Sequence, residues 1–587
     1  ACLVGSEMCI RDSLITYIKE EKFMRINGAQ AIIECLKKEN VNLVFGYPGG
    51  AVLTLYDALY QNKFPHILTK HEQGAIHAAD GYARSSGKVG VCFATSGPGA
   101  ANLITGIATA NIDSIPIVCI TGQVATHLIG KDSFQEADVC GITAPVTKHN
   151  YLIKKVGDLP RVFKEAFHIA STGRPGPVVI DIAKDVFEAE IDFEYPTEVN
   201  LRGYKLQKDG NTDDIDTLIE AVKTAEKPVL FVGGGVISSN TSAYIKQLTE
   251  ITGIPVVESL MGRGSIPCDQ LESLGMVGMH GTYTANMAVM ECDLLIALGA
   301  RFDDRVTGKV SEFAPNAKIA HFDIDSAEIN KNVHVDYPVV GDLRWSLPLF
   351  TAKLSIIGAQ LKDQYKPWRD YIFEMKHFNP LLYRDDENLI MPENIITNIS
   401  KICDENTIVV TDVGQHQMWA AQYYNLQKSR KFITSGGLGT MGFGLPAAIG
   451  AKLANPDKKV VLFTGDGSIM MNCQEFATVA DYNLDIKVVV LNNHMLGMVA
   501  QWQRMFYNHH YSHSVLRGKT DLVKLAQAMG VNGYRIDNKT TFNEQLANYI
   551  NSDGACLIDI LIPDEENVFP MVPAGGRLDQ MVLEAEQ

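Results

Sequence analysis

The chain is predicted to be an α/β protein of three doubly wound parallel-sheet domains, and three observations carry that expectation. Helical and strand patterns alternate along nearly the whole sequence, as βα units of a parallel sheet do. The 587 residues exceed what one hydrophobic core serves, and ordinary domain sizes call for three or four units. Glycine-rich turns follow apolar strand-like runs at well-separated places, among them Gly97-Pro98-Gly99, Gly233-Gly234-Gly235 and Gly465-Asp466-Gly467.

Read in order, the first domain spans 24–190. Its pattern predicts helix 28–39, strand 42–46, helix 52–60, strand 66–69, helix 72–85, strand 89–94, helix 100–111 and strand 116–121. A polar stretch without period, 191–214, reads as a linker. The central domain, 215–353, opens on strand 228–232 and continues through strands 293–298 and 318–323. A charged, weakly patterned stretch, 354–387, reads as a second linker. The third domain, 388–562, includes strand 459–464, a helix with its lead-in over 470–482 and strand 486–491, and the tail 563–587 reads as disordered or as a lid. Residues 1–23 read as a non-native or disordered extension: the string GSEMCIRDS at 5–13 resembles translated sequencing adapter, which makes Met24 the expected start.

Composition excludes several classes. A net charge of −16 without a Lys/Arg cluster argues against nucleic-acid binding. No apolar run is long enough to span a bilayer, so no membrane association is expected. The eleven cysteines are scattered without a Cys-x-x-Cys pair, as reduced thiols of a cytoplasmic protein are.

The most specific feature is Gly465-Asp466-Gly467-Ser468, followed one helix and one strand later by Asn492-Asn493. Glycines after a strand let backbone approach a phosphate. Asp466 and Asn493 offer hard oxygen ligands, and with a nearby backbone carbonyl they suffice for Mg²⁺ that also takes phosphate oxygens and water. Either half alone is an ordinary turn. Together, at the ends of neighbouring strands, they specify a metal-held diphosphate.

This pair resembles the thiamine diphosphate (ThDP) motif. From about Met24 to the C-terminus the chain resembles the FAD-containing acetolactate synthases, with ThDP-fold pyrimidine and diphosphate domains flanking a Rossmann-like central one. Supporting strings are Tyr47-Pro48-Gly49-Gly50-Ala51, His71-Glu72-Gln73, Gly81-Tyr82-Ala83-Arg84, Gly414-Gln415-His416, RFDDRVTGK at 301–309 and MVAQW at 498–502. The resemblance implies that Glu72 bonds the cofactor's aminopyrimidine, that the Gly50 N–H donates to the cofactor or a developing oxyanion, and that Met441 bends the cofactor's two rings together. It places Gln135 against the cofactor, and Gln415, His416, Gly439, Gly465, Asp466, Gly467, Ser468, Asn493, Leu496, Gly497 and Met498 around ThDP. Mg²⁺ falls to Asp466, Asn493 and the Met495 carbonyl. Phe134, Lys184, Arg305 and Trp502 are implied to line the substrate channel. FAD, with no net part in the reaction, falls to Arg174, Gly234, Leu260, Met279, His280, Gly299, Arg301, Asp303, Asp323, Ile324 and Asp342.

The implied activity condenses two pyruvate molecules to 2-acetolactate, or pyruvate with 2-oxobutanoate, releasing CO₂ on the route to branched-chain amino acids. The implied assembly is a homodimer or homotetramer with a small regulatory subunit. Another ThDP-dependent 2-keto acid decarboxylase or a catabolic synthase is the alternative; the RFDDR string argues against the latter. A nicotinamide dehydrogenase read from Gly233 to Gly235 leaves Glu72 and Asp466 unexplained. Ala125, Ser133 and Ala574 depart from the plant pattern near the channel mouth.

Overall fold

The computed structural model describes residues 24–206, 209–381, 383–516 and 520–584. The extension 1–23 lies outside them. Among the described residues there are three six-stranded sheets, every strand pair in them parallel, and one antiparallel two-stranded ribbon.

The first sheet runs in space as His66–Leu68, Val44–Gly46, Gly90–Ala94, Ile117–Gln123, Val178–Ala183 and His149–Ile153. The third runs Phe432–Ile433, Ile408–Thr411, Val460–Gly465, Ile486–Asn492, Cys556–Leu561 and Asn532–Ile536. Both follow the chain order 2-1-3-4-6-5. The central sheet, from Ser273–Met276 across Pro228–Val232 and Leu294–Leu298 to Tyr337–Val340, follows 3-2-1-4-5-6, the dinucleotide-binding order. Strands that helices cover on both faces must be apolar throughout. Pro228–Val232, Leu294–Leu298, Ile408–Thr411 and Ile486–Asn492 are buried at every position.

Each sheet reverses direction beside its first strand, leaving a crevice at the strand C-termini. In the first sheet that crevice lies between the loops after Gly46 and Ala94; in the third, between those after Thr411 and Gly465.

Two helices fasten the first sheet to the third. Glu72–Ser86 starts on His71, whose ring nitrogen accepts from the Gln73 N–H, and stops at Gly87 in the left-handed region (φ +74°). It packs on Gly444–Ala454 so closely that a Cβ on Gly81 would overlap the Ala447 carbonyl, and one on Gly450 that of Ala78.

Several stretches differ from the sequence reading. The expected helix 100–111 comes in two pieces, Pro98–Ala101 and Ile104–Ile112, and the Asn102 side chain between them donates to Glu72. Within the expected lead-in and helix of 470–482 the helix proper is Glu475–Asp481, and in the lead-in Asn472 turns its side chain to the Gly442 carbonyl (2.7 Å). The stretch 191–214 begins inside strand Glu190–Phe193, which pairs with Met24–Asn27. Helices Gly358–Gln364 and Lys366–Phe378 occupy 354–387, with Leu361, Trp368 and Ile372 buried in an otherwise charged sequence. The tail is ordered over 563–584: Val568 joins the third domain's core, Val572 and Leu578 the central one, and the Gly576 carbonyl accepts from Lys309 N–H (2.9 Å). Among the described residues no helix is long and apolar enough to cross a membrane.

Candidate active site

At the third sheet's crevice three helices begin side by side: Gln415–Tyr423, Asp466–Ile469 and Gly497–Phe506. Their N-terminal residues line one pocket, so free backbone N–H groups and the positive ends of helix dipoles converge there. The pocket is lined by Gln415, His416, Met441, Gly465, Asp466, Gly467, Ser468, Asn493, Met495, Leu496, Gly497 and Met498. These twelve are residues assigned to ThDP or its cation from sequence; Val413, Gly414, Trp419, Leu491 and Val499 complete the lining. Gly439 (φ +69°) faces a larger neighbouring cavity instead.

The electrostatics suit a diphosphate held by a cation. Asp466 Oδ1 is buried without a hydrogen-bond partner, and burial, aided by Asp559 and Asp564, pushes the carboxyl up to about 7. Such a group calls for a counter-cation. Burial holds His416 near 3, so its ring is neutral, and its Nε2 is likewise unpartnered. Among the described residues no group of three His, Cys, Asp or Glu side chains could hold a metal by itself. A divalent ion beside Asp466 and Asn493 would therefore draw further ligands from phosphate oxygens, as Mg²⁺ does. The residues present fit both groups.

The second cavity, about 1320 Å³, opens where first, central and third domains meet. A small acid does not need that volume; an extended dinucleotide does. Its lining includes Arg174, Gly234, Leu260, Met279, His280, Gly299, Arg301, Asp303, Asp323, Ile324 and Asp342, the whole set assigned to FAD from sequence. The central crevice is made by backbone on backbone: Gly235 N–H donates to the Gly299 carbonyl (2.9 Å), and a Cβ on Gly235 would stand 2.7 Å from the Gly299 Cα. Arg174 reaches Glu328 (2.7 Å) and Ser114 (2.8 Å). Burial holds His280 near 4 and raises the Asp303 carboxyl. Arg305 and Trp502 meet at the cavity wall, the guanidinium 5.5 Å from the ring centroid.

The other assigned residues stand apart. Glu72, Gly50, Gln135, Phe134 and Lys184 line neither cavity. All five belong to the first domain, and Gly50, Glu72 and Gln135 gather at the turn Thr95 to Gly99. Thr95 accepts from Ala51 N–H (3.3 Å), and Thr95 and Glu72 both approach Gly99. Gln135 is held in the left-handed region (φ +60°) behind Gly97, a strained position of the kind found at functional sites. Phe134 is 89% exposed, and nothing stands within 4 Å of a Cβ on Gly50. Lys184 is exposed at the head of helix Lys184–Glu188.

One contributor escaped the sequence reading. Asp113 accepts from the Gly436 and Gly437 N–H groups (3.1 and 2.7 Å) and pairs with Arg84 (2.9 Å), which also bonds Asp80 and the Thr434 carbonyl. This buried set pins the loop that carries Gly439 and Met441. No motif surrounds Asp113, and only Arg84 lay in a recognised string.

Comparison with known proteins defines the class first. Residues 26–142, 215–349 and 412–560 match, in turn, the families described as thiamine pyrophosphate enzyme N-terminal TPP binding domain, central domain and C-terminal TPP binding domain. Over 566 residues the chain is 49% identical to a probable acetolactate synthase large subunit of Methanocaldococcus jannaschii, covering 95% of each. It is 45% identical over 557 residues to the acetolactate synthase large subunit of Lactococcus lactis (95% of this chain, 96% of that one). It is 44% identical over 569 residues to the chloroplastic acetolactate synthase of Arabidopsis thaliana (95% and 85%). The chain belongs to the acetolactate synthase large-subunit family of thiamine pyrophosphate enzymes.

Proposed function

We propose that this chain condenses two pyruvate molecules, taking up one proton, to 2-acetolactate and CO₂, and condenses pyruvate with 2-oxobutanoate in the same way. The observation that carries this reading is the convergence of three helix N-termini on an unpartnered, buried Asp466, where a diphosphate and its cation fit. Relatives named acetolactate synthase support the choice of reaction. When bound, ThDP supplies an electron sink for decarboxylation and carbon–carbon bond formation.

The chain's own residues do the rest. Asp466 and Asn493, with the Met495 carbonyl, would hold Mg²⁺; His416 and the N–H groups of the three helices would bind the diphosphate oxygens. Met441, beside the pocket, would set the bend of the cofactor. Glu72, oriented by the Asn102 amide (2.9 Å), would hold a proton at the aminopyrimidine. Arg305 over Trp502 suits a keto acid: the cation meets the carboxylate and the ring packs on the alkyl group. FAD would occupy the large cavity. The tail, strapped from Met279 to Lys309, would exclude water from the site.

Glu72 lines neither the diphosphate pocket nor the large cavity, which supports a homodimer or homotetramer in which a second copy supplies the missing half. The relatives named large subunits support a small regulatory partner, and archaeal and bacterial relatives a cytoplasmic setting. The test is a carboligase assay with pyruvate, ThDP, Mg²⁺ and FAD, omitting each cofactor in turn. Acetolactate formed only with all three is expected. Acetaldehyde as main product, or activity indifferent to FAD, overturns the reading in favour of a decarboxylase or a catabolic synthase.

A further inference from the structure

The side-chain amide of Asn493 can turn either end to the diphosphate pocket, and only its oxygen can bind a cation. What bonds to the other end decides the matter. Asn493 Nδ2 donates to Gln415 Oε1 (3.1 Å). Gln415 Nε2 donates to the Glu566 carbonyl (2.8 Å) and to Gln501 Oε1 (3.0 Å). Gln501, wholly buried, accepts from the Val568 N–H (2.9 Å) and donates to the Val568 carbonyl (3.2 Å).

The three amides form one line of donors and acceptors that ends on C-terminal backbone. A carbonyl only accepts and an N–H only donates, so Glu566 and Val568 leave Gln415 and Gln501 one orientation each. That direction passes to Asn493. Its Oδ1 is left with the Met495 N–H (3.2 Å) and a second lone pair for a cation. The line is tightly packed: a Cβ on Gly497 would overlap Gln415 Oε1 and stand 2.7 Å from Asn493 Nδ2.

We propose that Gln501 is a positioning residue that, through Gln415, fixes the Asn493 oxygen toward the cation and couples that orientation to the seating of the C-terminal segment. The proposal rests on the reading of Asn493 as a cation ligand. Gln501 touches neither pocket, so its effect is indirect. Partners that orient a ligand typically change metal affinity ~10–100-fold when removed.

The experiment titrates Mg²⁺ into the full chain at fixed ThDP, read by the fluorescence of Trp419, which lines the pocket, alongside the Tm of the cofactor-free protein. Gln501→Met, equal in length but unable to bridge, should raise the Mg²⁺ midpoint about tenfold or more. It should also abolish Mg²⁺-dependent protection of residues 563–584 from protease. Gln501→Glu keeps both accepting bonds and loses the donations to the Val568 carbonyl and the Met571 sulfur. It should lower Tm yet hold the midpoint within about threefold, whereas in a merely structural role the midpoint would rise as Tm falls. In an Asn493→Ala background, Gln501→Met should add less than about twofold. An unmoved midpoint in Asn493→Ala alone overturns the ligand reading and the relay with it. A shifted midpoint there with an unmoved one in Gln501→Met overturns the relay alone. If Gln501→Met does not fold, Gln501→Glu decides: a midpoint raised tenfold or more overturns the proposal.

Discussion

Glu72 and Asp181 are both carboxylates of the first domain, and burial separates what each does. Glu72 is half-buried at a helix start, with Oε2 bonded to Asn102 Nδ2 and Oε1 near Gly99. Replacement by glutamine keeps shape and removes the proton acceptor. Glu72→Gln should retain ThDP binding while turnover falls roughly 10²–10⁴-fold, the usual range for a general acid–base group; ThDP titration beside initial rates checks both. Asp181 is instead enclosed in strand Val178–Ala183, accepting from Thr121 (2.7 Å) and Gln123 (2.9 Å), and burial pushes its carboxyl up to about 7. The native state then binds this proton more tightly than the unfolded chain does. The group's contribution to stability is fully present below about pH 4 and is lost as pH rises through about 7. Urea unfolding at pH 5 and pH 8 should show that decline in the wild type, and Asp181→Asn should flatten it by an amount on the order of a few kcal/mol. That Asp466 and Asn493 share a pocket was legible because each follows directly on a buried strand, with one helix and one strand between them. Asp113 and Gln501 were not, because their roles exist only through partners hundreds or dozens of residues away.

At the scale of elements, helices Glu72–Ser86 and Gly444–Ala454 decide how the first sheet meets the third. Their contact has no space for a methyl group at Gly81 or Gly450. Overpacking a tight contact costs typically ~1–3 kcal/mol and forces backbone to shift. Gly450→Val should therefore destabilise the chain by at least that much. Gly157→Ala, where nothing stands within 4 Å of the new Cβ, should stay within about 0.5 kcal/mol of the wild type. Chemical denaturation of both compares them directly, and equal midpoints would refute the close-contact argument. The helices and buried strands were legible from period and turn residues, to within a few residues at their ends. Gly81 fell inside the expected helix 72–85, but that it and Gly450 serve a helix–helix contact was not visible, since the partner carbonyl lies far along the sequence. Helices Gly358–Gln364 and Lys366–Phe378 were missed because few of their residues are buried, so their apolar stripe is thin.

At the scale of the whole molecule the proposed site is in two halves. The first and third sheets share one strand order and each presents a crevice, one carrying Gly50, Glu72 and Gln135, the other the diphosphate pocket. Gly50, Glu72 and Gln135 line neither of the two cavities, and their surface is open: Phe134 is 89% exposed and Gly50 has clear space before it. A two-fold dimer answers this arrangement, since an isologous pairing sets each half against its complement twice. The consequence is testable without further structural work. Glu72→Gln disables only the first half, and Asp466→Ala only the second. Each variant alone should be nearly inactive. Mixed in equal amounts and allowed to exchange subunits, half of the dimers become hybrids, and each hybrid has one site with both defects and one with neither. Activity should then rise to about a quarter of the wild type. If both halves instead came from the same chain, every site in the mixture would carry one defect, and exchange would restore nothing.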